Sequence, residues 1–214
     1  MPHWKSIADI RREYGNLSLN EAVLCASPFE QFALWYEDVV KTEKSDPTAM
    51  VLSTVDEDGH PDSRVVLLKG IVDNAFVFFT NYQSSKALQM SHESHVALNF
   101  YWPEMARQVR VRGVVKQVSA EQSDAYFASR PHTSQASAII SAQSQVIESA
   151  EVLEASFNDF LAKHKDTLDR PAHWGGYQVS PTTIEFWQGR DNRLHDRVRY
   201  YRQQEQWLQQ RLAP

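Results

Sequence analysis

Cysteine is nearly absent: Cys25 stands alone among 214 residues. That excludes a disulfide framework and a cysteine-based metal site within one chain. No apolar run approaches the roughly 18 residues of a membrane helix, so no membrane span is expected. The opening Met1-Pro2-His3-Trp4-Lys5 lacks the apolar stretch of a secretory signal. A cytoplasmic protein is the expectation. Glycine is scarce, seven in all, and nowhere forms GxGxxG or GxxxxGKS/T, so dinucleotide-fold and P-loop readings drop out. Positive charge is in deficit, with 22 Lys and Arg against 27 Asp and Glu and a net charge of −5. A broad nucleic-acid face is therefore not expected. His92 and His95 do not have the spacing of an HExxH zinc helix, and no metal is expected.

What is present suits one domain. Residues 1–26 have weak periodicity and read as an N-terminal arm, either a solvated helix end or mobile segment or a flap that adds a cation and a phenol to a pocket, ahead of a single domain over 27–214. Ser27-Pro28-Phe29-Glu30 is a strong helix start, with a capping serine, a proline at the first helical position and a glutamate completing the box. Phe29, Phe32, Ala33, Tyr36, Val39 and Val40 then recur at helical spacing and predict a core-facing stripe. A dense β region follows, with strands predicted over 49–55, 63–68, 76–80, 96–101 and 108–118. Asp58-Gly59, Asp73-Asn74 and Trp102-Pro103 supply turns. Short strands at this spacing suggest a meander closing into a small barrel. Ser119 to Gln122 is a second capping box, opening a helix that runs to Pro131. Residues 133–145 fit either a helix or a packed loop. A further helix is predicted over 149–165, with Val152, Leu153, Phe157, Phe160 and Leu161 on one face. Trp174-Gly175-Gly176 reads as a sharp turn before strands at 177–179 and 183–187. Beyond Arg197 the glutamines favour helix, while the spacing of Val198, Tyr200, Trp207 and Leu208 permits a hairpin.

The basic residues are clustered, which fits a small anionic ligand better than a polymer. The densest stretch runs from Glu185 to Arg197, where three arginines, one histidine, two aspartates and Trp187 fall within thirteen residues. A core strand does not carry so many charges, and the mixture suits a pocket wall as well as a charged turn. At Ser84-Ser85-Lys86 a strand gives way to a helix, where free N–H groups and the helix dipole attract phosphate; on these residues alone a plain structural cap is the more common reading. Arg64 and Lys69 bracket four apolar residues. Strict alternation puts them on opposite faces unless Lys69 lies past the strand end. Tyr126 and Arg130 share a helix face, and with Ser134 they make a cradle for a phosphate or a surface stack. Gln108, Arg110 and Arg112 share one strand face, suited to the edge of a heterocycle or to solvent.

These stretches together resemble the pyridoxamine 5′-phosphate oxidase family. The matching segments are RREY (11–14), DPTAMVLSTVDEDGHPDSRVVLLK (46–69), FFTN (78–81), RQVRVRG (107–113), YFASRP (126–131), SAQS (141–144), WGGY (174–177), IEFWQG (184–189), RLHDR (193–197) and RLAP (211–214). They run in order through nearly the whole chain. The resemblance implies a mainly β fold with flanking helices (α+β), a split β-barrel that binds FMN, and a homodimer with flavin at the subunit interface. It implies oxidation of pyridoxamine 5′-phosphate or pyridoxine 5′-phosphate to pyridoxal 5′-phosphate, with O2 as acceptor and H2O2 as product. Carried over by motif, FMN is expected at Arg64, Lys69, Phe79, Thr80, Ser85, Lys86, Gln108, Gln143, Ser144, Trp187 and Arg197. The substrate phosphate is expected at Lys69, Tyr126, Arg130 and Ser134. Arg193 and His195 are expected at the substrate ring as the catalytic pair, with Arg11 and Tyr14 closing over the pocket.

Two departures stand out. Ser85 replaces an arginine usual in the family, which predicts weaker flavin binding, and Phe79 replaces a common tyrosine. Arg193 stays protonated and cannot act as a base near neutral pH, whereas His195 can accept or donate a proton there. A related split-barrel flavin reductase and a non-catalytic carrier of FMN or pyridoxal phosphate are the rival readings.

Overall fold

The computed structural model describes residues 13–15, 17–20, 24–42 and 44–214. Arg11 and most of the N-terminal arm lie outside the described residues. Helix α1 (Pro28–Thr42) starts where expected, the Ser27 hydroxyl accepting from the Phe29 N–H at 3.3 Å. Its buried face is Pro28, Gln31, Phe32, Trp35 and Val39. Ala33 and Val40 face solvent, so the stripe is rotated toward Trp35 from the predicted one.

Strands β1 (Ala49–Val55) and β2 (Pro61–Leu67) form a hairpin. The Asp56 carboxylate closes its turn, accepting from the backbone of Asp58 at 3.0 Å and His60 at 2.7 Å. A short β3 (Gly70–Val72), not predicted, pairs with β4 (Ala75–Asn81). The turn between them places Asp73 and Asn74 at φ 50° and 59°, a conformation these residue types tolerate. Then come α2 (Ser85–His92), β5 (His95–Trp102), β6 (Arg107–Gln117), α3 (Ala120–Ser129), α4 (His132–Ile140) and α5 (Ala150–Lys163). The 133–145 segment is thus helical only in its first part. The chain ends with β7 (Trp174–Gln188), β8 (Asp196–Gln203) and β9 (Gln206–Leu212). Hydrogen bonding orders the sheet β2-β1-β5-β6-β7-β4-β3, with β8 on β7 and β9 on β8.

Two sequence expectations are corrected. Trp174-Gly175-Gly176 is not a turn but the start of β7, paired with Asn81, Thr80 and Phe79. Its glycines answer to neighbours rather than to a bend. A Cβ on Gly175 would lie 2.1 Å from the Tyr82 hydroxyl, and one on Gly176 2.7 Å from the Phe79 ring. The two short strands predicted at 177–179 and 183–187 are one, because Gly113 lets the Ser180-Pro181 backbone pass where a Cβ would meet the Ser180 carbonyl at 2.3 Å. The tail resolves as a hairpin, its period-two burial at Asp196, Val198 and Tyr200 outweighing helix propensity.

The chain forms two compact units. The first comprises residues up to 47, 99–111 and 183–214. Its core packs Trp35 on Phe186 (5.1 Å between rings) and Phe186 on Tyr200 (5.5 Å). The second comprises 48–98 and 112–182, with Leu52, Phe76, Phe78, Leu98 and Phe127 almost fully buried. Within it α5 is peripheral: none of its residues is buried, and Val152 and Leu153 of its apolar face are exposed.

Candidate active site

A cavity of about 510 Å³ opens in the second unit, lined among others by Lys69, Thr80, Lys86, Tyr126, Arg130, Ser134 and Gln143. That is within the usual range for small-molecule sites. One group of lining residues is built around Lys86. Its ammonium donates to Gln143 Oε1 (2.8 Å), Ser84 Oγ (3.2 Å) and Thr80 Oγ1 (3.3 Å). Burial, reinforced by the positive charge of Arg64, lowers its pKa to about 8. Ser84 does not cap α2. Its buried hydroxyl turns back to donate to the Asn81 carbonyl at 2.7 Å. The exposed Ser85 offers its N–H to Ser144 Oγ at 3.2 Å. Ser144 sits at φ 73°, uncommon for a residue other than glycine, and its hydroxyl ties the loop after α4 to the start of α2.

Lys69 lies past the end of β2, with its N–H on the Val77 carbonyl at 2.8 Å. This satisfies the condition that alternation imposed on it. Arg64 does not line the cavity. Its guanidinium is held by Asp62, Thr54 and Gln89 at 2.5, 2.5 and 3.1 Å.

A second group of lining residues is aromatic and cationic. Tyr126 stacks on Phe79 at 3.9 Å between ring centroids, and Trp174 lies parallel to both, 5.6 Å from Phe79 and 6.2 Å from Tyr126. Arg130 is the residue before Pro131, which ends α3 and confines Arg130 to the extended region. Its guanidinium carbon lies 4.6 Å from the Trp174 ring centroid. Nη1 is buried with no hydrogen-bond partner among the described residues. Burial, partly offset by Tyr126, holds the Arg130 pKa below its ordinary value. A buried, unpartnered donor on a half-buried cation is costly, and its natural complement is an anion.

The 185–197 stretch belongs to the first unit. There Tyr14, Trp187 and His195 form an aromatic triangle, with centroid separations of 5.7, 5.5 and 4.7 Å. Gly189 makes room for Tyr14, because a Cβ there would lie 2.9 Å from its ring. Asp191 fixes the arm by accepting from the N–H groups of Tyr14 (3.0 Å) and Gly15 (2.8 Å). The Arg190 N–H donates to His195 Nδ1 at 3.0 Å. The neutral imidazole therefore carries its proton on Nε2. Arg197 pairs with the buried Glu185 at 2.9 Å, and Arg110 approaches the same carboxylate at 3.7 Å. Burial works to raise the Asp196 pKa, but the Leu19 N–H, Arg211 and Arg190 hold it below the ordinary carboxylate value. Arg193 is exposed, at a left-handed φ of 60°. Gln108 is half-buried on β6.

Of the predicted site residues, Lys69, Phe79, Thr80, Lys86, Tyr126, Arg130, Ser134 and Gln143 line one cavity. Ser85 and Ser144 bond to each other next to it in sequence. Tyr14, Trp187 and His195 gather separately within the first unit, which also holds Gln108, Arg193 and Arg197. Sequence reasoning missed Trp174 as a wall of the cavity. Two following glycines made it read as a turn, and nothing local signals that Arg130 rests on it.

Residues 36–164 match the family described as pyridoxamine 5′-phosphate oxidase. Residues 174–214 match the pyridoxine 5′-phosphate oxidase C-terminal dimerisation region. A pyridoxine/pyridoxamine 5′-phosphate oxidase of Legionella pneumophila (strain Lens) is 58% identical over 215 residues, covering 100% of both chains. Among solved structures, PhzG from Burkholderia lata 383, in complex with tetrahydrophenazine-1-carboxylic acid, has a TM-score of 0.87 at 27% identity over 94% of this chain and 100% of its own. A pyridoxamine 5′-phosphate oxidase-related, FMN binding protein from Nostoc punctiforme shares the fold, with a TM-score of 0.73 at 17% identity over 89% of this chain and 100% of its own. The split-barrel fold class expected from the sequence is the one these neighbours share.

Proposed function

This chain belongs to the pyridoxamine 5′-phosphate oxidase family, and from that premise we propose that it oxidises pyridoxamine 5′-phosphate or pyridoxine 5′-phosphate to pyridoxal 5′-phosphate. FMN is the cofactor in this reading. The residues fit it: the cavity lining carries Lys69, Lys86 and Arg130, and both ligands carry a phosphate. Lys86, with Thr80, Gln143, Ser85 and Ser144, would hold the flavin phosphate, supported by the field of Arg64. By the family motifs, Lys69, Phe79, Gln108, Trp187 and Arg197 would be further flavin contacts. Tyr126, Arg130 and Ser134, with Lys69, would hold the substrate phosphate. Arg11, Tyr14, Arg193 and His195 would serve its ring. When bound, FMN supplies the two-electron acceptor, which O2 reoxidises with release of H2O2.

The observation that carries the reading is Arg130 Nη1, buried and without a partner. A phosphate oxygen there supplies the missing acceptor, with a charge-assisted hydrogen bond contributing roughly 1.5–3 kcal/mol. Arg193 brings permanent positive charge and cannot take a proton. With Nδ1 occupied by the Arg190 N–H, His195 faces the substrate as an Nε2–H donor and orients it for reaction. The C-terminal dimerisation region supports a homodimer, with FMN at its interface. No helix among the described residues is long and apolar enough to cross a membrane, which is consistent with a cytoplasmic location.

Adding pyridoxine 5′-phosphate to the purified, FMN-loaded protein tests this. Equimolar pyridoxal 5′-phosphate and H2O2 are expected. Bound flavin without turnover would favour a carrier, and turnover without peroxide a reductase.

A further inference from the structure

We propose that Trp174 is a positioning residue for substrate: with Phe79 it holds Arg130 and Tyr126 so that they grip the phosphate. The proposal rests on the assignment of Arg130 and Tyr126 to the substrate phosphate.

A guanidinium with a nitrogen buried, as Arg130 has, is ordinarily fixed by a carboxylate, which also cancels its charge. Arg130 has no carboxylate partner among the described residues. What lies against it is aromatic: Trp174 at 4.6 Å and Phe127 at 5.7 Å. Contact through the ring faces restrains a guanidinium without using its N–H donors. The charge stays available for an anion. Tyr126 is restrained the same way, 3.9 Å from Phe79 in a near-parallel stack.

The slab is itself anchored. Arg170 donates to the Trp174 carbonyl at 2.7 Å and to Asp124 of α3 at 2.6 Å. The helix that carries Tyr126 is thereby tied to the strand that carries Trp174. Gly176 leaves the Phe79 ring its place, since a Cβ there would lie 2.7 Å from both that ring and Val118 Cγ2. Helix, strand and loop thus converge on two phosphate-facing side chains, and none of the fixing contacts uses an Arg130 donor.

The test compares the FMN-loaded parent with Trp174→Leu, Trp174→Phe and Arg130→Gln, titrated with pyridoxal 5′-phosphate and with pyridoxal lacking the phosphate. Trp174→Leu is expected to weaken the phosphorylated ligand about tenfold and pyridoxal less than about twofold, an effect of the size of one impaired charged hydrogen bond. Trp174→Phe, which keeps an aromatic face, should stay within about threefold of the parent for both. Equal weakening of both ligands by Trp174→Leu, or no weakening, overturns the proposal. If Trp174→Leu does not fold, Gly176→Ala substitutes, since it displaces Phe79, and the same selective loss is required of it. Arg130→Gln separates the two levels of the argument. If it leaves pyridoxal 5′-phosphate binding unchanged, the phosphate assignment fails. If it weakens binding while Trp174→Leu does not, only the positioning role fails.

Discussion

Flavin affinity should fall as pH rises from 7 to 9, because of Lys86. Its ammonium is lowered from 10.5 to about 8 by burial and by Arg64. A bound phosphate, dianionic above about pH 7, restores the charged form. The free protein must then take up a proton to bind FMN wherever Lys86 has lost one. For a group titrating near 8, the protonated fraction drops about tenfold between pH 7 and pH 9, and apparent affinity drops with it. Stability of the free protein moves the other way. The folded value lies below the unfolded one, so between about 8 and 10.5 the unfolded chain holds more protons and stability rises with pH. The assay is titration of flavin-free protein with FMN, read by quenching of flavin fluorescence, at several pH values in matched salt. Lys86→Met should bind more weakly at pH 7 and lose the slope. An affinity flat from pH 7 to 9, or a slope that survives in Lys86→Met, would refute the reasoning.

Other outcomes follow from the same geometry. Ser85→Arg should tighten FMN binding about three- to tenfold in the same titration, the gain of a charged hydrogen bond to phosphate kept modest by solvent and by the helix dipole, which opposes a cation at this end; equal affinities would count against a deficit at this position. Gly113→Ala should destabilise the fold by about 1–3 kcal/mol in urea unfolding, because the added methyl meets the Ser180 carbonyl and not a movable side chain. His195→Asn should raise KM while keeping the shape of the pH–rate profile, as expected of a hydrogen-bond donor whose Nδ1 is already engaged. Loss of one limb of that profile would instead make His195 a proton carrier.

Period-two patterning made most of the sheet legible, since Met50, Leu52 and Thr54 on β1 and Val109, Val111 and Gly113 on β6 alternate inward over long runs. Capping chemistry was equally local: Ser119 and Ser149 each accept from a backbone N–H three residues on, at 3.1 and 3.3 Å. Where the reading failed, distant neighbours decided. The glycines of the Trp174 strand are small because Tyr82 and Phe79 need the space, and the two segments lie nearly a hundred residues apart. Ser84 looked like a cap, but its hydroxyl found the Asn81 carbonyl. Residue types and motifs were enough to mark Lys69, Lys86, Tyr126, Arg130 and Ser134 as candidates for phosphate, and the structure puts them on one cavity. Which of the predicted cations stay uncompensated was not legible, because Arg64 and Arg130 are the same residue type and, of the two, Arg64 has an acid beside it while Arg130 keeps a buried nitrogen without a partner.

The central claim is that separate cations hold the phosphates of two different ligands. A crystal structure with FMN and pyridoxal 5′-phosphate both bound tests it most directly. The account predicts one phosphate within hydrogen-bonding distance of Lys86 Nζ and the other at Arg130 Nη1 and the Tyr126 hydroxyl. A structure with both ligands in place and Arg130 Nη1 still without an acceptor would contradict it.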